Sequence, residues 1–196
     1  MNVETLNLGE IENIRNIDVR EDTFFVMEPI SNDVTATLNI LFPKSKKEIK
    51  LIFASKIKDA EVNLNINVIH RKNETKSDMQ IRTVLEDGAK VNVKTNIKVT
   101  NKALNCEGNV EIKALATGKN ISWNVEPNLE ISNKNVSVRH KASMISFNKN
   151  QITYLKLRGF TEEEAMKILK GGFLLEETGK IPGSEAKKSI MRKLKL

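Results

Sequence analysis

With one cysteine among 196 residues, Cys106, the chain has no internal disulfide framework to hold it together. Aromatic residues make up only 5%, and Trp123 and Tyr154 do not interleave with basic residues as a base-stacking platform would. No apolar run approaches the ~20 residues that span a bilayer. The opening stretch, MNVETLNLGEIENIRNIDVR, has neither the basic start nor the apolar core of a signal peptide. A cytoplasmic protein with no membrane contact fits these absences. Glycine is scarce, with nine residues, and the hairpin dipeptides Asn-Gly and Asp-Gly occur once, at Asp87-Gly88. That scarcity favours a chain that winds over one that folds back in tight hairpins. A phosphate-binding Gly-rich loop, HExxH, GxSxG and paired carboxylates with helical support are all missing. The chain is therefore not expected to be an enzyme, and it should not hydrolyse ATP itself.

What is present is charge, asparagine and alternation. The net charge is +7, and eleven Lys/Arg against six Asp/Glu place +5 of it after residue 147. Such an excess can mark nucleic acid or a membrane surface. Here the basic residues sit mostly at alternate strand positions and on helix faces, so a solvated surface is the better reading and nucleic-acid binding the weaker one. Before residue 148 the apolar residues alternate with period two. Val62, Leu64, Ile66 and Val68 interleave with Asn63, Asn65 and Asn67; Val91, Val93, Thr95, Ile97 and Val99 do so with Asn92, Lys94, Asn96 and Lys98. Val110 with Ile112, Trp123 with Val125, Leu129 with Ile131 and Val136 with Val138 continue the pattern. This is the signature of strands with one buried and one wet face.

Polar corners separate the strands at 86–88, 101–102, 106–108, 118–120 and 133–135, and 22 asparagines supply residues that tolerate tight backbone corners. Pro43 to Lys50 reads as a charged turn, and Phe24, Phe25 and Val26 begin the first convincing strand. Residues 1–22 are poorly defined. The pattern suggests a sandwich, a barrel or a β-solenoid without choosing among them. After residue 147 the period becomes helical. Ile152 and Leu155 share a face, as do Ala165, Ile168 and Leu169. Gly159 suits the left-handed position that ends a helix, and Thr161 with Glu164 forms a capping box for the next. Gly171-Gly172 is expected to weaken or end that second helix. Ser184 is expected to cap a last amphipathic helix with Ile190, Met191 and Leu194 on its apolar side. Two regions result: a β core over 1–147 and a helical segment over 148–196.

Residues 136–175 carry a more specific pattern. His140, Ala142, Ser143, Phe147, Gln151, Tyr154, Arg158, Gly159, Phe160, Thr161 and Ala165 stand at spacings that closely resemble the end of the SufB/SufD family, the scaffold subunits of SUF iron–sulfur cluster assembly. The resemblance covers roughly residues 60–196, is strongest after 125, and suggests a shortened member. It implies a right-handed parallel β-helix core with a small C-terminal helical segment. It also implies docking of a SufC-like ABC ATPase through those helices, and a dimer with itself or with a SufB/SufD-like sister subunit. Leu155, Leu157, Phe160, Phe173 and Leu174 would be the apolar contacts for the ATPase, with Tyr154 and Arg158 as polar anchors. These same side chains are also the ones able to pack the helices onto the β core.

His140 is the leading candidate for holding a transient iron–sulfur cluster, because a neutral imidazole ligates iron. Its neighbours Arg139 and Lys141 depart from the family pattern. They are expected to depress its pKa by like charge, and they would tolerate sulfide or a complete cluster better than bare ferrous iron. Cys106 is the second candidate metal ligand, yet it does not align with the cysteine of SufB-type sequences, whose equivalent falls near Asn120. One thiolate cannot build an ordinary four-cysteine site, so any cluster needs ligands from a second chain, a small thiol or another protein. His70 reads as structural, and Glu126 and Glu130 as flanking a solvated corner at Pro127. The competing functional reading is a non-catalytic adaptor that binds the ATPase and holds no cluster.

Overall fold

The computed structural model describes residues 1–10 and 14–195; residues 11–13, within the poorly defined opening segment, and Leu196 lie outside the described residues. Among the described residues eleven strands follow one another: β1 (Asn2–Leu6), β2 (Ile14–Asp18), β3 (Thr23–Met27), β4 (Val34–Leu41), β5 (Glu48–Ile57), β6 (Glu61–His70), β7 (Lys76–Leu85), β8 (Lys90–Val99), β9 (Cys106–Ala116), β10 (Ser122–Ile131) and β11 (Val136–Ser146). Three helices close the chain: α1 (Lys149–Leu157), α2 (Glu162–Thr178) and α3 (Ser184–Lys193). Odd strands form a six-stranded sheet in the order β1-β3-β5-β7-β9-β11, and even strands a five-stranded sheet in the order β10-β8-β6-β4-β2. Every pairing is parallel. A chain that alternates between two sheets and always returns parallel is a β-solenoid. The choice left open by alternation is decided by this topology.

The period-two pattern now has a physical meaning. Because alternate side chains point to opposite faces, aligned turns stack like residues into columns. Val34, Val62, Val91 and Trp123 form one such column in the five-stranded sheet. Phe25, Leu51, Met79, Val110 and His140 form another in the six-stranded sheet. Inward columns from both sheets meet in the main core. On the wet face of the five-stranded sheet the asparagines bridge successive turns: Asn67 donates to Asn39 and Asn39 to Asn16, both at 2.9 Å. Stacked asparagine amides satisfy one another, which explains the abundance of that residue beyond corner duty. Corners are tight where turns meet. A side chain at Gly118 would bring a Cβ within 2.2 Å of the Asp87 backbone nitrogen, so only glycine fits there.

Several sequence expectations change. The first 22 residues contain two strands and a 3-10 turn at Leu8–Glu10. Residues 106–108 are not a corner but the start of β9. Pro127 lies inside β10, one continuous strand through Ile131, and it is accommodated because β10 is an edge strand. Glu126 and Glu130 face outward and pair with Lys94 and Lys98 at 2.8 and 2.7 Å. Helix α2 runs through Gly171-Gly172. Two interior glycines cost about 1 kcal/mol each, but continuing the helix buries Leu174 completely, worth about 1.5–3 kcal/mol, and carries Glu177 to a buried ion pair. Ser184 is the first residue of α3 rather than its cap; Gly183, at φ 85°, precedes it without a side-chain cap bond.

The helices lie on the outer face of the six-stranded sheet. Phe24, Val26, Ile52, Ala54, Val84 and Leu115 point outward there and meet Leu174, Ile181, Ile190 and Leu194 in a second core. The end of α1 is as expected: Gly159, at φ 94°, follows the C-cap Arg158, and the Thr161–Glu164 capping box is complete.

Candidate functional site

Among the described residues, no further turn lies above the last turn of the solenoid, β10 and β11 being end strands of their sheets. Its inward side chains, Trp123, Leu129 and Ile131 from β10 and Val138, His140 and Met144 from β11, cover the core from one side only. Three of them, Leu129, Ile131 and Met144, are 39–52% exposed. His140 sits mid-strand at the head of the Phe25–Val110 column, over Val110. Its ring is half-buried, and both nitrogens are shielded from solvent without a hydrogen-bond partner among the described residues. The indole nitrogen of Trp123 and the hydroxyl of Thr95 lack partners as well.

The pKa of His140 is lowered, as expected, but for a different reason. Burial lowers it. Arg139 and Lys141 point to the opposite face of β11 by strand alternation, and Lys141 is engaged with Glu111 Oε1 at 3.2 Å. The outcome is a neutral imidazole with a free lone pair at the rim of the core.

Cys106 is placed elsewhere. It pairs with Val136, four residues along the strand from the Val110–His140 pair, a displacement of roughly 13 Å at strand rise. It is 1% exposed, 3.3 Å from Thr75 Oγ1 and 3.3 Å from the Lys72 carbonyl. Thr75 in turn lies 2.7 Å from His70 Nδ1, and Ser77 Oγ lies 3.0 Å from Nε2. The imidazole of His70 stacks on Phe42 with centroids 4.8 Å apart. Thr75 donates to the Lys72 carbonyl, so it accepts from Nδ1–H, and Nε2 accepts from Ser77. Burial pushes His70 down to about 4. This corner is fully satisfied, and the thiol belongs to it. Among the described residues no group of three or more His, Cys, Asp and Glu is placed to hold a metal ion. Cys106 and His140 are not brought together.

The helical residues divide between two roles. Leu174 is wholly buried in the second core, and Phe173 packs against that core. These two face the sheet, the packing role open to them beside the partner contacts that the resemblance implies. Leu155 is half-buried. Tyr154, Leu157 and Phe160 point to solvent, Leu157 at 84% exposure. The Arg158 guanidinium lies over the Tyr154 ring, 4.9 Å from its centroid. Ile168 and Leu175 join Phe160 along α2 in an apolar groove of about 570 Å³ rimmed by Lys167 and Lys195.

A family model described as the SufBD core domain of SUF system FeS cluster assembly matches residues 35–173. The chain belongs to the SufB/SufD family. The match begins upstream of residue 60, because β4 and β5 are ordinary turns of the same solenoid. Among curated relatives, the chain is similar to a SufBD family iron–sulfur cluster assembly protein of Staphylococcus saprophyticus. The two are 28% identical over 136 residues, covering 68% of this chain and 28% of the relative. It is also similar to the iron–sulfur cluster assembly protein SufB of Bacillus subtilis, 25% identical over 162 residues, covering 80% of this chain and 35% of that protein. This SufB/SufD chain thus spans about a third of the relatives it matches. No described helix is long and apolar enough to cross a membrane.

Sequence reasoning about this family member missed Trp123 as a neighbour of the open end, and Ile168 and Leu175 as exposed groove residues. By its alternation Trp123 reads as an ordinary core position. Only the absence of a covering strand separates it from Val91 beneath it.

Proposed function

We propose that this SufB/SufD chain is a non-enzymatic scaffold of SUF iron–sulfur cluster assembly. The iron–sulfur cluster is its transient cargo, assembled where the open end of the solenoid meets a second copy or a sister subunit. The observation that carries this reading is His140: a neutral imidazole with both nitrogens unpartnered, set in an apolar, uncovered end. A buried polar group without a partner costs free energy, and a partner surface that brings iron, sulfide or thiols relieves that cost. An apolar end flanked by two free strand edges is also suited to a second subunit. The exposed groove of α2, with Leu157, Phe160 and Tyr154 beside it, is the handle for a SufC-like ABC ATPase. Closure of that motor would shift the paired open ends and expose the cargo site.

Anaerobic incubation of the chain with ferrous iron and sulfide tests the cargo site. Cluster absorbance should develop and be abolished in His140→Ala, while Cys106→Ser retains it. Iron retained equally by wild type and His140→Ala would rule the site out. The adaptor reading keeps one specific point in its favour, the burial of the sole thiol in the His70 corner. Binding of the ATPase with no iron uptake by any variant would favour it.

A further inference from the structure

Arg82 is the bulkiest fully buried side chain among the described residues, and it lies on the outer side of β7 beneath α2. A guanidinium offers five donors in a rigid fork, usually spent in bidentate pairs. Here, among the described residues, one nitrogen makes all the hydrogen bonds, while the guanidinium also lies 5.9 Å from the centroid of the Phe173 ring. Nη2 donates to Glu177 Oε1 at 2.9 Å, Glu111 Oε2 at 3.1 Å and Glu176 Oε1 at 3.4 Å. Nη1 and Nε, equally buried, have no partner among the described residues. Glu111 is the bridge. Its second oxygen, Oε1, is held by Lys113 at 3.0 Å and by Lys141 at 3.2 Å. Lys141 is the residue after His140 on β11. Burial works to raise the Glu111 pKa, but hydrogen bonds from Lys113, Lys141 and Arg82 outweigh it and hold the carboxyl at about 2.

An unbroken ionic chain thus runs from β11 across β9 and β7 to α2: Lys141, Glu111, Arg82, Glu177. We propose that it is a coupling element that ties the position of α2 to that of β11, with Arg82 as its positioning residue. Apolar packing under α2 is non-directional and tolerates a small slide of the helix; the ionic chain does not. The two idle nitrogens supply the second arrangement that a switch requires. If α2 shifts by the width of a guanidinium, Glu177 or Glu176 moves onto Nη1 or Nε, while Glu111 keeps its bond to Nη2. Discrete alternative pairings of this kind convert small displacements into defined states. The coupling stands on the geometry alone. Its use, to carry a motor stroke at α2 to the strand bearing His140, rests on the reading above.

Hydrogen exchange on the full chain, without any partner, tests it. Glu177→Gln and Arg82→Met should speed exchange of amides 138–144 in β11 by about five-fold or more. Reciprocally, Lys141→Met should speed exchange near residues 174–178 of α2. Leu174→Ala, which loosens α2 through its apolar anchor, should leave β11 unchanged. High salt should weaken the coupling at its most exposed link, Lys141–Glu111. Should Arg82→Met fail to fold, Glu177→Gln and Lys141→Met decide the matter. Faster exchange in α2 with β11 unmoved would reduce the cluster to an anchor and overturn the proposal, as would uniform loosening of the whole chain by every variant. ATPase binding by the chain, together with β11 exchange that none of these variants alters, would leave the functional reading standing while this one falls.

Discussion

The two histidines sit in regions that solve the same problem in opposite ways. His70 lies in a closed corner, stacked on Phe42, with Thr75 and Ser77 on its two nitrogens and Cys106 completing the network. His140 lies at the open end, on the same kind of inward column, with neither nitrogen engaged. Both are kept neutral by burial. The difference is completeness. A buried polar network whose members are all satisfied specifies structure. A shielded imidazole left unsatisfied adds nothing to folding that an apolar side chain would not, and on that contrast the proposed cargo site rests.

Breaking the closed corner should have the largest effect. His70→Ala removes a stacked ring and strands the hydroxyls of Thr75 and Ser77, for an expected loss of about 3 kcal/mol or more, read from urea unfolding. Acid should do nearly as much. With a folded pKa of about 4 against about 6.5 unfolded, the unfolded chain binds the extra proton. The stability His70 contributes is therefore whole above pH 6.5 and is lost as pH falls toward 4, by about 3 kcal/mol. The slope of the urea midpoint between pH 6.5 and 4.5 should be strong in His140→Leu, which isolates His70, and flattened in His70→Gln. His140→Leu itself should leave stability unchanged or raise it by about 1 kcal/mol, and a loss larger than that would erase the contrast between the two sites. Smallest of all, Leu157→Asp should alter stability by under about 0.5 kcal/mol, as expected for so exposed a position. The same change should still weaken capture by an ABC-type ATPase, as measured by co-purification.

Much of this was legible along the chain. Alternation placed β6, β8 and the inward face of β11, and the cap residues Gly159, Thr161 and Glu164 placed the join between α1 and α2. The spacing from His140 to Ala165 pointed to the family before any fold was known. What was not legible has a common cause. Leu174 and Leu157 are both apolar and helical, and nothing local tells which faces the sheet. Gly171-Gly172 looked like a break because helix propensity is local, whereas the burial that overrides it is not. The cause of the His140 shift was misassigned because sequence neighbours in a strand point to opposite faces. Arg82 carries no local signal of burial. An arginine in an alternating strand reads as solvated until a helix from far along the chain is laid over it.

Local order was thus written in the chain itself: the period of two, the corners and the helix caps follow from backbone sterics and side-chain alternation over a few residues. Only the wound structure decided which inward position has a turn above it and which does not, and which outward charge is sealed beneath a helix. Those outcomes depend on contacts between residues distant in sequence, and burial, which sets the cost of every unpaired polar atom, exists only once such contacts have formed.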